Sequence, residues 1–385
     1  MNKIFINKPG KATMVMVMVK TGSANETDEL KGISHFVEHT CFKGNPKRNQ
    51  KQISSAIDNI GGDLNAFTGE EITAYWAKVG NSYKDLALDV ITDLATKPIF
   101  PGKECEKERE VIVQELKMYE DKPSSYAAEL FSKTVYAPDS RLYLPIVGTR
   151  ESLKNIGKKE LEKYHKDCYY NPILIVVGDV EDKIEYSEGP TEASCEESLG
   201  KKTSTFVERE NITQANIVMG NSVSIPVYTR LEQIFLLELL DSIYRDMSGR
   251  LFDVIREKNN LVYGVHFGYD MFSTGSIQWN VTMGLDVDKI GKARDLAVKE
   301  LIRPATKKEI DTALAKAIGA LEMNLDDVQN VALTTAFSLT RGYYGPDIFE
   351  YKKYLERMKD NVNEFMGLMN FSDNVIAGVI PKEKK

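Results

Sequence analysis

Three residues in one short stretch have the types and spacing to hold a metal and move a proton. In Ser34-His-Phe-Val-Glu-His-Thr-Cys-Phe-Lys43, the residues His35, Glu38 and His39 lie three and four apart. On an α-helix such positions share a face, so the three side chains point together while Phe36 and Val37 turn away to pack. Two neutral imidazoles make half of a tetrahedral zinc site. A carboxylate beside them is placed to take a proton from water activated there. The chain has only four histidines in 385 residues, and two of them fall in this H-x-x-E-H pattern, the reverse of the order H-E-x-x-H.

A catalytic zinc takes a third protein ligand and keeps one position open. The stretch Glu104–Glu120 reads as a helix rich in glutamate, and within it Glu108 and Glu115 are seven apart, on one face two turns apart. Spacing alone does not select the ligand, because a glutamate-rich helix is ordinarily a solvated face.

The elements that must position these residues follow from hydrophobic pattern. Residues 3–7 and 12–20 read as strands, and the unbroken apolar run Met14–Val19 is that of a strand buried on both faces. A polar loop from Thr21 to Asp28 leads into the His35 helix, which starts near Lys31. A helix over Asn49–Ile60 ends at Gly61-Gly62. Residues 63–79 read as a hairpin turning at Gly69 and Glu70. An amphipathic helix over Asn81–Ala95, the Glu115 helix, a further helix over Ser124–Val135, short helices over 151–164 and a buried strand from Ile173 complete a first domain, 1–184.

Residues 185–204 are rich in Glu, Ser, Gly, Thr and Lys and read as a linker. A second domain, 205–385, repeats the order of the first. Asn216–Gly220 echoes the early strand, 261–284 the hairpin, and 290–325 the pair of helices that follows it, but no histidine pair accompanies them. The fold class is therefore α+β: two homologous α/β domains, each a mostly antiparallel sheet packed with helices.

Composition narrows the function. A net charge of −7 argues against nonspecific nucleic-acid binding and against an anionic membrane surface, and no apolar run reaches about 18 residues. The first residues carry no signal-peptide core. Cys41, Cys105, Cys168 and Cys195 have no metal-type or redox-type spacing and suit a reducing compartment; the expectation is a cytoplasmic protein. Cys41 falls on another helix face from His39 and is not counted as a ligand. His165 stands alone and reads as a structural or surface residue.

His35-x-x-Glu38-His39 followed by Glu108-Arg-Glu-Val-Ile-x-x-Glu115 resembles the pitrilysin (M16) family of zinc peptidases, in the short two-domain form of the mitochondrial processing peptidase subunits and their bacterial and archaeal relatives. The resemblance covers essentially the whole chain and is strongest over 30–120. It implies that His35, His39 and Glu115 bind one zinc ion per chain, that Glu38 is the general base, and that Glu108 supports the site from behind the ligands. It implies that Leu64, Asn65, Ala66 and Phe67 hold substrate backbone by strand addition, where pattern alone favours an ordinary paired strand. Arg256, read as the last turn of a helix stopped by Asn259-Asn260, and Tyr263, at the start of a strand, match a pair that reaches the substrate carbonyl in an opposing half. With both residue sets in one chain about half as long as the single-chain members, the expectation is a homodimer around a closed chamber, with a heterodimer as the other possibility. Its substrates would be unfolded or short peptides. The competing reading is a catalytically silent or partner-dependent subunit. The family's usual N-terminal hairpin is longer, so the first strand is expected to be truncated or missing.

Overall fold

The structure is a computed structural model that describes residues 1–186, 198–200, 203–343 and 349–382. Most of the expected linker, and Cys195 with it, lies outside the described residues. In chain order the first half contains β1 (Asn2–Asn7), β2 (Ala12–Val19), α1 (Ile33–Cys41), α2 (Gln50–Asp58), β3 (Asp63–Thr68) and β4 (Thr73–Gly80). It continues with α3 (Lys84–Thr96), α4 (Gly102–Asp121), α5 (Pro123–Val135), α6 (Arg150–Asn155), α7 (Lys158–Cys168), β5 (Ile173–Gly178) and β6 (Lys183–Glu185). The second half contains β7 (Thr205–Arg209), β8 (Ala215–Ser224), α8 (Arg230–Tyr244), a π-helix (Phe252–Lys258), β9 (Val262–Met271) and β10 (Ser276–Leu285). It closes with α9 (Ile290–Ile302), α10 (Lys307–Asn324), α11 (Val328–Arg341), α12 (Tyr351–Met358), α13 (Val362–Leu368) and β11 (Val375–Pro381).

The sheets are built alike. The first has the order β3-β4-β2-β5-β1-β6 and the second β7-β11-β8-β10-β9. Reversed, the second reads β9-β10-β8-β11-β7, strand for strand the order of the first without β6. In each sheet one pair is parallel, β1 with β5 and β7 with β11, and the remaining pairs are antiparallel. The duplication seen faintly in the pattern is thus explicit in topology. The first strand is not missing: β1 is present and pairs with β5 on one side and β6 on the other.

β2 is buried along nearly its whole length and β5 along all of it, because neighbours hydrogen-bond on both edges and helices cover the sheet. Each half has its own hydrophobic cluster, one around β2, β4, α1 and α3, the other around β8, β10 and α8. The chain divides into two compact units. The first comprises Met1–Met118, Leu144–Glu196 and Asn324–Thr340, and the second comprises Tyr119–Tyr143, Glu197–Met323 and Arg341–Lys385. This grouping differs from a division into contiguous domains 1–184 and 205–385 by one helix each way. Helix α5 buries Ala127, Leu130 and Phe131 against β8 and β11; the Phe131 ring tip fills the space where a Cβ on Gly220 would lie, 2.8 Å away. Helix α11 joins the first unit, with Phe337 stacked on Phe67 and Asp327 paired to Lys78.

Candidate metal centre

Helix α1 presents two faces. Ile33, Phe36, Val37 and Cys41 recur at helical spacing and are buried among Val15, Val17, Tyr75 and Ala77. The remaining stripe carries His35, Glu38 and His39. The start of α1 is fixed by Gly32, whose φ of 91° is left-handed; a Cβ there would meet the Val147 carbonyl oxygen at 2.7 Å. Helix α4 is held alongside by Cys105 and Ile112 in the core and by Arg109, which donates to the carbonyls of Leu153 at 3.0 Å and Ile156 at 2.6 Å.

These placements bring the predicted metal set together. Glu115 Oε2 lies 3.7 Å from His35 Nε2 and 3.6 Å from His39 Nε2. One ligand atom from each residue lies within 4.8 Å of the others. Ligands at zinc–nitrogen and zinc–oxygen distances of about 2.0–2.1 Å in a tetrahedron stand about 3.3 Å apart. The observed gaps are too long for direct hydrogen bonds and suit an ion between the three atoms, so the residues fit zinc. The donor set, two imidazoles and one carboxylate, is also that of catalytic zinc sites.

The surrounding residues set orientation and charge. His39 Nδ1 lies 3.2 Å from Glu108 Oε1, an arrangement that fixes the ring with Nε2 toward Glu115. Lys43 Nζ meets the other Glu108 oxygen at 2.6 Å. Burial works against ionisation of Glu108, but His39 and Lys43 outweigh it and hold the carboxyl below the usual range. Burial, with His39 beside it, pushes His35 down to about 3, so it is a neutral imidazole at physiological pH. Burial lowers His39 as well, yet Glu108, Glu38 and Glu115 together outweigh it and raise its pKa. Burial raises Glu38, partly offset by a hydrogen bond from Thr68 Oγ1 to its Oε2 at 2.6 Å. An elevated carboxyl is better matched to proton transfer near neutral pH.

Thr68 and Lys43 were not singled out in the sequence. Thr68 ends the very strand that contains Leu64, Asn65, Ala66 and Phe67. β3 is the outermost strand of its sheet, so one of its backbone edges lacks a strand partner among the described residues, and its last residue touches the base. The turn falls at Gly69–Ile72, with Gly69 N–H donating to Ile72 O at 2.8 Å. Cys41 accepts from the Tyr75 hydroxyl at 3.4 Å in the core, away from the metal set. His165 Nε2 meets the Ala95 carbonyl at 2.8 Å and its ring packs on Tyr169, a structural role.

Arg256 and Tyr263 lie in the second unit. Arg256 is on the π-helix, which ends as Asn260 turns left-handed with φ 50°. Its guanidinium sits 4.6 Å from the Phe252 ring centroid and 5.1 Å from that of Tyr263. It makes no hydrogen bond among the described residues, and Tyr263 is 84% exposed. Arg256 Nε also lies 3.7 Å from Glu257 Oε1, and its side chain is 33% exposed.

Known proteins resemble this chain in sequence and in fold. The family model described as insulinase (peptidase family M16) matches residues 4–149, and that described as the peptidase M16 inactive domain matches 128–317. The latter match begins within α5, the helix that packs in the second unit. A Bacillus subtilis (strain 168) protein named uncharacterized zinc protease YmxG is 30% identical over 339 residues, 84% of this chain and 82% of that one. An uncharacterized zinc protease of Rickettsia felis is 32% identical over 329 residues, 81% and 77% of the two chains. Among solved structures, a protease from Helicobacter pylori has a TM-score of 0.85 at 18% identity, covering 98% of this chain and 96% of its own. A peptidase M16 inactive domain from Pseudomonas fluorescens has a TM-score of 0.83 at 15% identity, covering 100% and 96%. No described helix is long and apolar enough to cross a membrane.

Proposed function

This chain belongs to peptidase family M16, and from that premise we propose that it is a zinc-dependent endopeptidase of unfolded or short peptides. The observation that carries the reading is the convergence of His35 Nε2, His39 Nε2 and Glu115 Oε2, with Glu38 on the same face of α1. Zinc held there supplies Lewis acidity, which polarises a scissile carbonyl and acidifies water. The chain's own residues do the rest. Glu38 receives the proton on the oxygen not engaged by Thr68 and returns it to the departing amine. Glu108 keeps the His39 ring oriented. An extended peptide adds over Leu64–Phe67 to the edge of β3 that has no strand partner among the described residues.

Arg256 and Tyr263 donate hydrogen bonds to the oxygen on which charge develops. The chain acts as a homodimer, the two residues coming from a second copy and the active sites facing a closed chamber. The exposure of Tyr263, with the Arg256 guanidinium held against its ring, supports this assignment.

The test is hydrolysis of a mixed pool of unstructured peptides by zinc-loaded wild type beside Glu38→Gln. Cleavage by wild type that falls about 10³-fold in the variant supports the assignment; equal rates, or none from a zinc-bound wild type, overturn it. Compact folded proteins should be cut far more slowly than the peptides, and equal rates would remove the chamber. Mixing Glu38→Gln with Arg256→Ala tests the dimer. Donation between copies leaves one intact site in each mixed dimer and restores about a quarter of wild-type activity; no recovery from exchanged subunits refutes it.

A further inference from the structure

The segment Gly22–Glu26 is a polar loop by composition, yet it joins two walls of the metal centre. At one end Ser23 N–H donates to Gly69 O at 3.1 Å and Ala24 N–H to Glu70 O at 2.7 Å, so the segment grips the turn that follows β3. The approach is so close that a Cβ on Gly22 would lie 2.2 Å from Gly69 O and 2.5 Å from Glu70 O. At the other end the carboxylate of Glu26 accepts from Gly32 N–H at 2.8 Å and from Ser34 N–H at 2.7 Å. These are among the donors that the first turn of α1 leaves unpaired, and Gly32 has no side chain to cap them. Lys31 Nζ donates back to Ser23 O at 3.0 Å, closing the loop on itself.

Glu26 has no exposure to solvent, and burial pushes its carboxyl up to about 7. A buried carboxylate is an expensive way to cap a helix, since an exposed serine or aspartate at the cap position serves as well. What Glu26 achieves that a local cap does not is a link: α1 carries Glu38, β3 carries Thr68, and the 2.6 Å bond between those two depends on the spacing of helix and strand. We propose that Glu26 is a positioning residue for the general base, setting through the Gly22–Glu26 segment the register of α1 against the end of β3. This rests on the peptidase reading for its consequence in catalysis, but the link itself is a property of the first unit.

The experiment compares zinc-loaded wild type, Glu26→Gln, Thr68→Val and the double variant. Glutamine keeps the shape but can accept only one of the two N–H bonds. In Glu26→Gln, zinc affinity by competition with a chromogenic chelator should stay within about 3-fold and KM within about 3-fold, while kcat falls roughly 10- to 100-fold, the scale of a small misplacement. In the double variant the second change should add little, because both act on one Glu38–Thr68 bond. Losses that multiply, or an unchanged kcat, overturn the proposal. Hydrogen exchange gives a readout independent of turnover: amides at Gly32 and Ser34 and in the 69–72 turn should speed up together. Acceleration confined to α1 refutes the link. If wild type cuts no peptide, the peptidase reading falls and the exchange data still decide the link. Should Glu26→Gln fail to fold, Glu26→Asp, one methylene too short to bridge both donors, gives the same comparison.

Discussion

Helix α1 in the first unit and α8 in the second follow equivalent central strands and precede equivalent edge hairpins, but their outer faces differ in kind. In α1 that face carries His35, Glu38 and His39. In α8 the buried surface widens with Leu236, Leu237, Leu239, Leu240 and Ile243, and the acids that remain make protein contacts: Asp241 pairs with Arg245 at 2.9 Å, and Glu238 accepts from the Tyr269 hydroxyl of β9 at 2.9 Å. That bond parallels the one from Thr68 of β3 to Glu38. A carboxylate on the helix, held by a hydroxyl on the following strand, therefore occurs in both units and does not by itself make a metal site. The following long helices diverge further. In α4, Glu115 turns toward the histidines; in α10, Glu309 sits in the first turn and is bound by Arg250 at 2.7 Å. The frame is shared, while the two imidazoles and one carboxylate that could hold a metal are set on one copy of it.

The largest effect that can break this comparison is on the metal. Glu115→Gln should lower zinc affinity by about 10³-fold or more, since a neutral amide is a poor replacement for an ionised ligand. Glu309→Gln, in the first turn of the corresponding helix of the second unit, should leave affinity within about 2-fold. Competition with a chromogenic chelator reads both. A comparable loss from Glu309→Gln would mean that the metal lies elsewhere or that the units are not independent in this respect.

How much of this was legible before folding depends on how local each signal is. His35, Glu38 and His39 stand out because a rare residue type falls at helical spacing, and the apolar stripe Ile33, Phe36, Val37 and Cys41 orients the helix that bears them. The strands and their duplication were readable from period and order. Glu115 was not selectable by pattern, for Glu104, Glu106, Glu108, Glu110 and Glu120 stand on the same helix; family resemblance supplied it. Thr68 meets Glu38 across thirty positions of chain, a contact no spacing rule anticipates. Glu26 lies among Gly, Ser and Asn, where composition signals exposure, and it is wholly buried. The unit memberships of α5 and α11 were equally hidden, since an apolar stripe on a helix does not specify which sheet it packs against. The π-helix that bears Arg256 has the composition of an ordinary helix.

A smaller effect sharpens the comparison within the first unit. Glu108 touches no metal ligand atom at Nε2 but holds His39 through Nδ1, and Lys43 holds Glu108. Glu108→Gln keeps the shape and one acceptor while removing the charge. Zinc affinity should drop about 10- to 100-fold, the usual cost of losing an outer partner of a ligating histidine, and less than in Glu115→Gln. If Glu108→Gln cost as much as Glu115→Gln, the two glutamates would have exchanged roles, and the assignment of the ligand would have to be reversed.

The smallest expected effect concerns stability, where the two units should respond to pH with opposite sign. In the second unit, bonds from Arg250, Arg303 and the Thr306 backbone, working against burial, hold Glu309 far below its usual 4.5. The folded state therefore binds a proton less readily than the unfolded chain, so the stabilisation is present above pH 4.5 and fades as pH falls below it. Glu309 is partly exposed, and solvent screening limits the contribution to about 1–2 kcal/mol. In the first unit, Glu26 is raised from 4.5 to about 7 by burial. The folded state there retains the proton more readily, so its contribution is lost as pH rises from 4.5 toward 7. Native-state hydrogen exchange resolved by unit, from pH 3.5 to 7.5, separates the two because it does not require the chain to unfold as one. Glu309→Gln should flatten the acid side for amides of α9 and α10 and leave α1 unaffected. Glu26→Gln should flatten the neutral side for α1 and leave α10 unaffected. If either substitution changed the pH response of both units equally, the chain would open as a single cooperative body, and the local electrostatics of each frame would no longer explain its stability.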